Sequence, residues 1–230
     1  MAPGRRPEIE QNYGNIWAWG LVYNIDSTLF CRALPMVSAQ DRHRLTPQEY
    51  FEWEAQQELR YEYFNGEVFA MAGGSLPHAD IALNMASLLK AQLQGRCKVR
   101  NSDAKVGITE DGPFVYPDVS VSCDERDRTA QKFSRYPCLI VEVVSPGTEA
   151  YDRGGTFTLY RRLDSLKEYV LVGSEAKTVE VFRRNSDGNW AFIPYGVGET
   201  IELSSLGIRV PMESIYEDVV VEQDDSETSS

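Results

Sequence analysis

Two short apolar stretches each hold one acid where an acid is hard to keep. The first is Val115-Tyr116-Pro117-Asp118-Val119-Ser120-Val121-Ser122-Cys123, and the second is Cys138-Leu139-Ile140-Val141-Glu142-Val143-Val144-Ser145-Pro146. Both are rich in β-branched residues and bounded by polar residues or proline, the mark of strands in a buried sheet. An isolated charge inside Leu-Ile-Val-Glu-Val-Val is costly to bury, so it is neutralised, paired or bound to metal. Side chains alternate along a strand. Ile140, Glu142 and Val144 therefore share one face, and Asp118, Ser120 and Ser122 share another. If the strands are neighbours in register, the two carboxylates meet on one side of the sheet. Their oxygens would suit Mg²⁺ or Mn²⁺, since hard cations prefer oxygen ligands. The alternative is structural: Asp118 as a turn residue at a strand entry, and Glu142 paired with a nearby arginine.

Around these strands the chain punctuates itself clearly. Thr46-Pro47-Gln48-Glu49 opens a helix expected to reach about Leu59, with threonine as N-cap, proline at the first position and glutamate at the third. Tyr61 to Ala70 reads as a hairpin about Asn65-Gly66, with Glu62 and Glu67 on its arms. Gly73-Gly74-Ser75-Leu76-Pro77 leads into a helix from about His78 to Gln94, closed by Gly95, with Ile81, Met85, Leu88, Leu89 and Leu93 on its apolar face. The paired glycines are no phosphate-binding loop, because no Gly-Lys-Ser/Thr follows. Cys97 to Ile108 reads as one strand containing Lys105, and Asp124 to Arg135 as a solvated charged loop. After the Glu142 strand a helix is expected from Gly147-Thr148-Glu149 to about Leu163, with Asp152, Thr156 and Tyr160 on one face. Three strands follow, at 169–172, 178–183 and 190–194.

Charge and cysteine usage narrow the class. The net charge of −12 argues against a sequence-indifferent nucleic-acid binder with a broad basic footprint. It is unevenly spread: six acids and no base follow from Glu217 onward. Cys31, Cys97, Cys123 and Cys138 are widely spaced, without a C-x-x-C pair, and read as neither a zinc site nor a disulfide framework. That favours a reduced, cytoplasmic compartment. Ile16 to Tyr23 is apolar but too short to span a bilayer, so no membrane partner is expected. We expect residues 1–35 to be a poorly ordered extension or a mis-called start, 36–220 to be a single domain, and 221–230 to be an acidic disordered tail.

Pro117-Asp118 followed by Glu142-Val143-Val144 resembles the P-D…(D/E)-x-K pattern of restriction-endonuclease-like nucleases. More closely, about Leu45 to Tyr216 resembles the Uma-type "putative restriction endonuclease" domain family. Its pieces appear in order: Leu45-Thr46-Pro47, Tyr61-Glu62, Asn65-Gly66-Glu67, His78, Tyr116-Pro117-Asp118, Glu142-Val143-Val144-Ser145-Pro146, Asp152, Tyr160 and Glu168-Tyr169. The resemblance implies an α/β (α+β) fold with a restriction-endonuclease-like core. A mixed β-sheet would be flanked by helices, with additional antiparallel strands on the C-terminal side. It implies Mg²⁺ (or Mn²⁺) held by Asp118 and Glu142 with Glu62 as a third acid, site positions for His78 and Tyr160, DNA as substrate and a homodimer.

One departure bears on activity. The lysine of the E-x-K order would fall at Val144, and the Uma-type pattern places it instead at the position of Thr156; both are uncharged here. Arg153 or Lys105 would have to reach in to replace it. Three functions follow. The first is a Mg-dependent endodeoxyribonuclease, weakened by the missing lysine. The second is a degenerate nuclease fold serving as a binding or regulatory module. The third is a hydrolase of smaller phosphodiesters, which suits the acidic surface but has no motif of its own.

Overall fold

The Glu142 stretch forms the middle of the molecule. In the computed structural model, which describes residues 44–71, 73–145, 147 and 152–221, Leu139–Val144 is strand β7 of a six-stranded sheet. The expectations for residues 1–35 and for nearly all of the tail lie outside the described residues.

In chain order the elements are α1 (Pro47–Glu54), β1 (Tyr61–Phe64), β2 (Glu67–Ala70), α2 (Leu76–Leu93), β3 (Lys98–Asn101), β4 (Val106–Gly107), β5 (Phe114–Val115), β6 (Val119–Ser122), α3 (Glu125–Arg128) and β7. A wide π-helical turn (Asp152–Thr156) then runs into α4 (Phe157–Tyr160). It is followed by β8 (Glu168–Gly173), β9 (Val179–Arg184), β10 (Trp190–Tyr195), β11 (Thr200–Leu203), β12 (Ile208–Pro211) and α5 (Met212–Ile215). The main sheet has the order β10-β9-β8-β7-β6-β3. Only β7 and β8 pair in parallel, joined by the crossover through α4, so the sheet is mixed. This is the restriction-endonuclease-like α/β arrangement.

Alternation along β7 sorts its side chains to two cores. Leu139, Val141 and Val143 pack with Ile81, Met85, Leu89 and Leu93 of α2. Ile140 and Val144 pack on the other face with Phe157, Tyr160, Tyr169 and Leu171. Glu142, two residues from each of these, faces the α4 side. The extra C-terminal strands are antiparallel, as expected, but the β11–β12 hairpin had not been read from the sequence.

A smaller sheet, β2-β1-β5-β4, surrounds an aromatic core of Tyr50, Tyr63 and Phe114. Its first hairpin turns at Asn65 (φ 50°) and Gly66 (φ 96°), the left-handed pair that a two-residue loop needs. The chain leaves this sheet after β5 and enters the main sheet at β6. Pro117 lies between them, without the N–H needed to continue a ladder. Asp118 is thereby placed at the seam.

Several local expectations change. The α1 capping box forms, but the helix ends at Glu54 rather than near Leu59. The single strand over 97–108 is two, β3 and β4, in different sheets, with Lys105 in the bend between them. The charged loop over 124–135 is anchored rather than solvated. Asp127 is 1% exposed and accepts bonds from the Ser134 hydroxyl and the Arg135 and Tyr136 N–H groups. Cys97 and Cys123 form a disulfide, because the β3–β6 register that pairs Lys98 with Ser122 sets them opposite each other. The compartment inferred from unpaired cysteines loses that ground. Among the described residues no helix is long and apolar enough to cross a membrane.

Candidate active site

The β6–β7 ladder pairs Val119 with Val141, and one step further sets Asp118 opposite Glu142. At that rung the side chains replace the backbone partners. The Asp118 N–H donates to Glu142 Oε2 at 3.2 Å, and the Val143 N–H donates to Asp118 Oδ2 at 2.8 Å. Both carboxylates are thus fixed by neighbouring backbone at the sheet seam, facing the same side.

Three side chains tighten this rung. Tyr160, on α4, donates its hydroxyl to Glu142 Oε1 at 2.9 Å. Burial and the Glu142 charge push the Tyr160 phenol well above its usual range, so it remains a donor. His78, in the first turn of α2, sets Nε2 3.2 Å from Asp118 Oδ2. The hydrogen bond to Asp118 outweighs burial and raises the His78 pKa, with further help from the Asp118 charge. The ring needs Gly74, because a Cβ there would stand 2.6 Å from His78 Nδ1. Glu62, on β1, accepts the Tyr116 N–H at 3.3 Å, so it reaches the seam two residues before Asp118.

The electrostatics are those of crowded acids. Burial first, then the charges of Asp118 and Asp152, raise Glu142 well above its ordinary 4.5. Burial also raises Glu62, with Asp152 adding to it. Asp152 is the residue that sequence reasoning left out of the acid set. It influences Glu62, His78 and Glu142 together, and Thr156 donates to its Oδ1 at 3.4 Å. Its spacing of four from Thr156 and eight from Tyr160 was the available signal. The π-type turn that carries it was not legible.

Thr156 is buried beside the acids and brings no charge. Neither proposed replacement for the lysine is free: Lys105 is paired with Glu54, and Arg153 with Glu180. His78 is the cation-forming group seen in contact with the acid rung.

The donor chemistry fits a hard divalent cation: carboxylate oxygens are concentrated where burial alone disfavours their charge. The ligand set expected from Asp118, Glu142 and Glu62 is nevertheless not assembled. Among the described residues no three His, Cys, Asp or Glu side chains stand close enough to hold one ion. The reason is visible in the bonds above. Glu142 uses both oxygens on N–H and O–H donors, and Glu62 turns to the Tyr116 N–H.

Comparison with known proteins places the chain in a family. The sequence profile of the Uma2 family, described as "Putative restriction endonuclease", matches residues 47–213. The chain is 42% identical over 174 residues to "Uncharacterized protein slr1290" of Synechocystis sp., covering 75% of this chain and 92% of that one. It is 31% identical over 162 residues to "Uncharacterized protein sll1609" of the same organism, covering 69% and 91%. In three dimensions it is similar to a crystal structure of "a putative nuclease belonging to DUF820" from Anabaena variabilis. The TM-score is 0.62 at 14% identity, over 76% of this chain and 99% of that one. That last likeness is one of fold.

Proposed function

The chain belongs to the Uma2 family of restriction-endonuclease-like proteins, and from that premise we propose that it is a metal-dependent endonuclease hydrolysing DNA phosphodiesters. The observation that carries this reading is the Asp118–Glu142 rung with His78 on one side and Tyr160 on the other. Asp118 and Glu142 would hold Mg²⁺ or Mn²⁺, with Asp152 and Glu62 adding negative charge around it. When bound, such an ion supplies an activated water and polarises a phosphoryl oxygen. Tyr160 orients Glu142 through Oε1. The backbone N–H groups of Asp118 and Val143 hold the two carboxylates at the seam. His78 stands with Nε2 against Asp118, which favours its protonated form, so that it is the side chain best placed to supply the positive charge that Val144 and Thr156 lack. A homodimer is part of the proposal, since cutting two strands suits two-fold symmetry.

One observation favours a second reading, a nuclease fold that binds without cutting. The two cations closest in role to the missing lysine are already paired with Glu54 and Glu180. Plasmid cleavage in Mg²⁺ and in Mn²⁺ separates the readings. The nuclease reading expects relaxed or linear product that Asp118→Ala abolishes. Intact plasmid with both proteins, although metal binds, establishes the second reading.

A further inference from the structure

Tyr116 belongs to two places at once. Its N–H bonds the acid Glu62, while its ring lines a cavity of about 230 Å³ whose other walls include Arg60, Arg100, Lys105, Lys132 and Phe133. Four basic side chains therefore meet one lining acid, Asp103, on a chain whose net charge is −12. The geometry points to this cavity as a phosphate-binding subsite, occupied by a backbone phosphodiester of the same nucleic-acid strand that lies at the acid rung. This rests on the nuclease reading above.

Three of the four cations are held by neighbouring groups. Arg60 bonds Asp103 through Nε and Nη2 (3.0 and 2.7 Å), and its guanidinium lies 5.7 Å from the Tyr116 ring centre. Lys105 is paired with Glu54 and stands 5.2 Å from the same ring. Arg100 gives Nη2 to the Asp127 carbonyl, but its Nη1 is buried with no hydrogen-bond partner among the described residues. A buried guanidinium nitrogen without an acceptor is an uncommon state, and it marks the wall of this cavity as under-supplied with acceptors. Lys132 is exposed at the rim, where it can meet a strand as it approaches. The planar guanidinium suits phosphate oxygens, and the Tyr116 and Phe133 rings offer faces to the adjoining sugar or base. A local cluster of cations beside the acids would let a chain of net charge −12 engage a polyanion at this place.

The test uses the full chain in EDTA, so that binding is read without cleavage. Fluorescein-labelled single-stranded and duplex oligonucleotides are titrated by anisotropy at several salt concentrations. Lys132→Glu should weaken binding about tenfold or more and flatten the salt dependence by about one phosphate contact. Arg209→Glu, with the same charge change on the exposed side of β12, should leave binding within about twofold, as expected of a charge that does not line the cavity. Arg100→Gln should lose affinity as well. Because it also removes the bond to Asp127, its folding is checked by circular dichroism, and Lys132→Glu decides if it is unfolded. Wild-type affinity in Lys132→Glu, or equal losses in Lys132→Glu and Arg209→Glu, overturns the subsite. If the wild type binds no oligonucleotide in EDTA, plasmid cleavage still decides the nuclease reading, and pyrophosphate protection against thermal unfolding decides the cavity. Protection lost in Lys132→Glu keeps it as an anion site for a small phosphate, while no protection overturns it.

Discussion

Two glutamates on adjacent strands of the same sheet have opposite surroundings. Glu168, at the start of β8, is 0% exposed and saturated with donors. It accepts from Arg183 Nε at 2.8 Å, from the Ser204 and Ser205 N–H groups at 3.1 Å each, and from both serine hydroxyls. Glu142, on β7, has one backbone N–H and one phenol, with Asp118 and Asp152 as its charged neighbours. The first is a buried charge answered by a cation and hydrogen bonds, which holds the β11–β12 hairpin to the sheet. The second is a charge the fold leaves poorly answered, which is the condition of a functional acid. Burial alone does not separate structure from function; the identity of the neighbours does.

The sharpest break of this comparison comes from Glu168. Glu168→Ala strands Arg183 and two serine N–H groups, and removing one partner of a buried pair costs about 3–5 kcal/mol. At roughly 2–4 °C per kcal/mol for a domain of this size, thermal melting should fall by about 10 °C. Glu142→Gln should melt at or above the wild-type temperature, because it removes charge repulsion. A larger loss at Glu142 than at Glu168 would reverse the assignment. Next in size is Tyr160→Phe, which takes a donor from a buried carboxylate. A stability loss of about 1–3 kcal/mol is expected, together with slower DNA cleavage.

Thr156→Lys places a cation four residues beyond Asp152. It should raise metal-dependent cleavage about tenfold, equivalent to about 1.4 kcal/mol in the barrier. An unchanged rate over an Asp118-dependent background would mean that His78 already fills the role. The smallest effect is in pH dependence. Folding raises the Glu142 pKa above 4.5, so the folded state holds that proton more tightly than the unfolded chain. Its contribution to stability is present below 4.5 and is lost as pH climbs from there through the raised value. In EDTA, the wild type should therefore lose more melting temperature than Glu142→Gln as pH rises from about 4.5 toward 8. Parallel profiles would show that Glu142 is not strained.

The elements that signal themselves locally were legible. The Thr46–Glu49 capping box, the Asn65-Gly66 turn and the apolar face of α2 use residues within a few positions of each other. The Asp118–Glu142 rung was legible too, because strand alternation fixes faces and the two stretches follow one another. What escaped depends on long-range register. The Cys97–Cys123 bond needs the β3–β6 pairing, which no spacing in the chain reveals. The burial of Asp127 needs the fold of 134–136 around it. Asp152 joins the acids through a π-type turn where an ordinary helix was expected. Lys105, read as a strand residue free to help the site, is instead held by Glu54 among the rings of Tyr50, Phe51 and Tyr116.

The contrast between the two glutamates is tested most directly by calorimetric titration of Mn²⁺ into the metal-free protein. The wild type should bind the ion, Asp118→Ala and Glu142→Gln should lose at least tenfold in affinity, and Glu168→Gln, if folded, should bind as the wild type does. Equal Mn²⁺ affinity in wild type and Asp118→Ala, or no binding by the wild type at millimolar ion, would contradict the assignment of the Asp118–Glu142 rung as a cation centre.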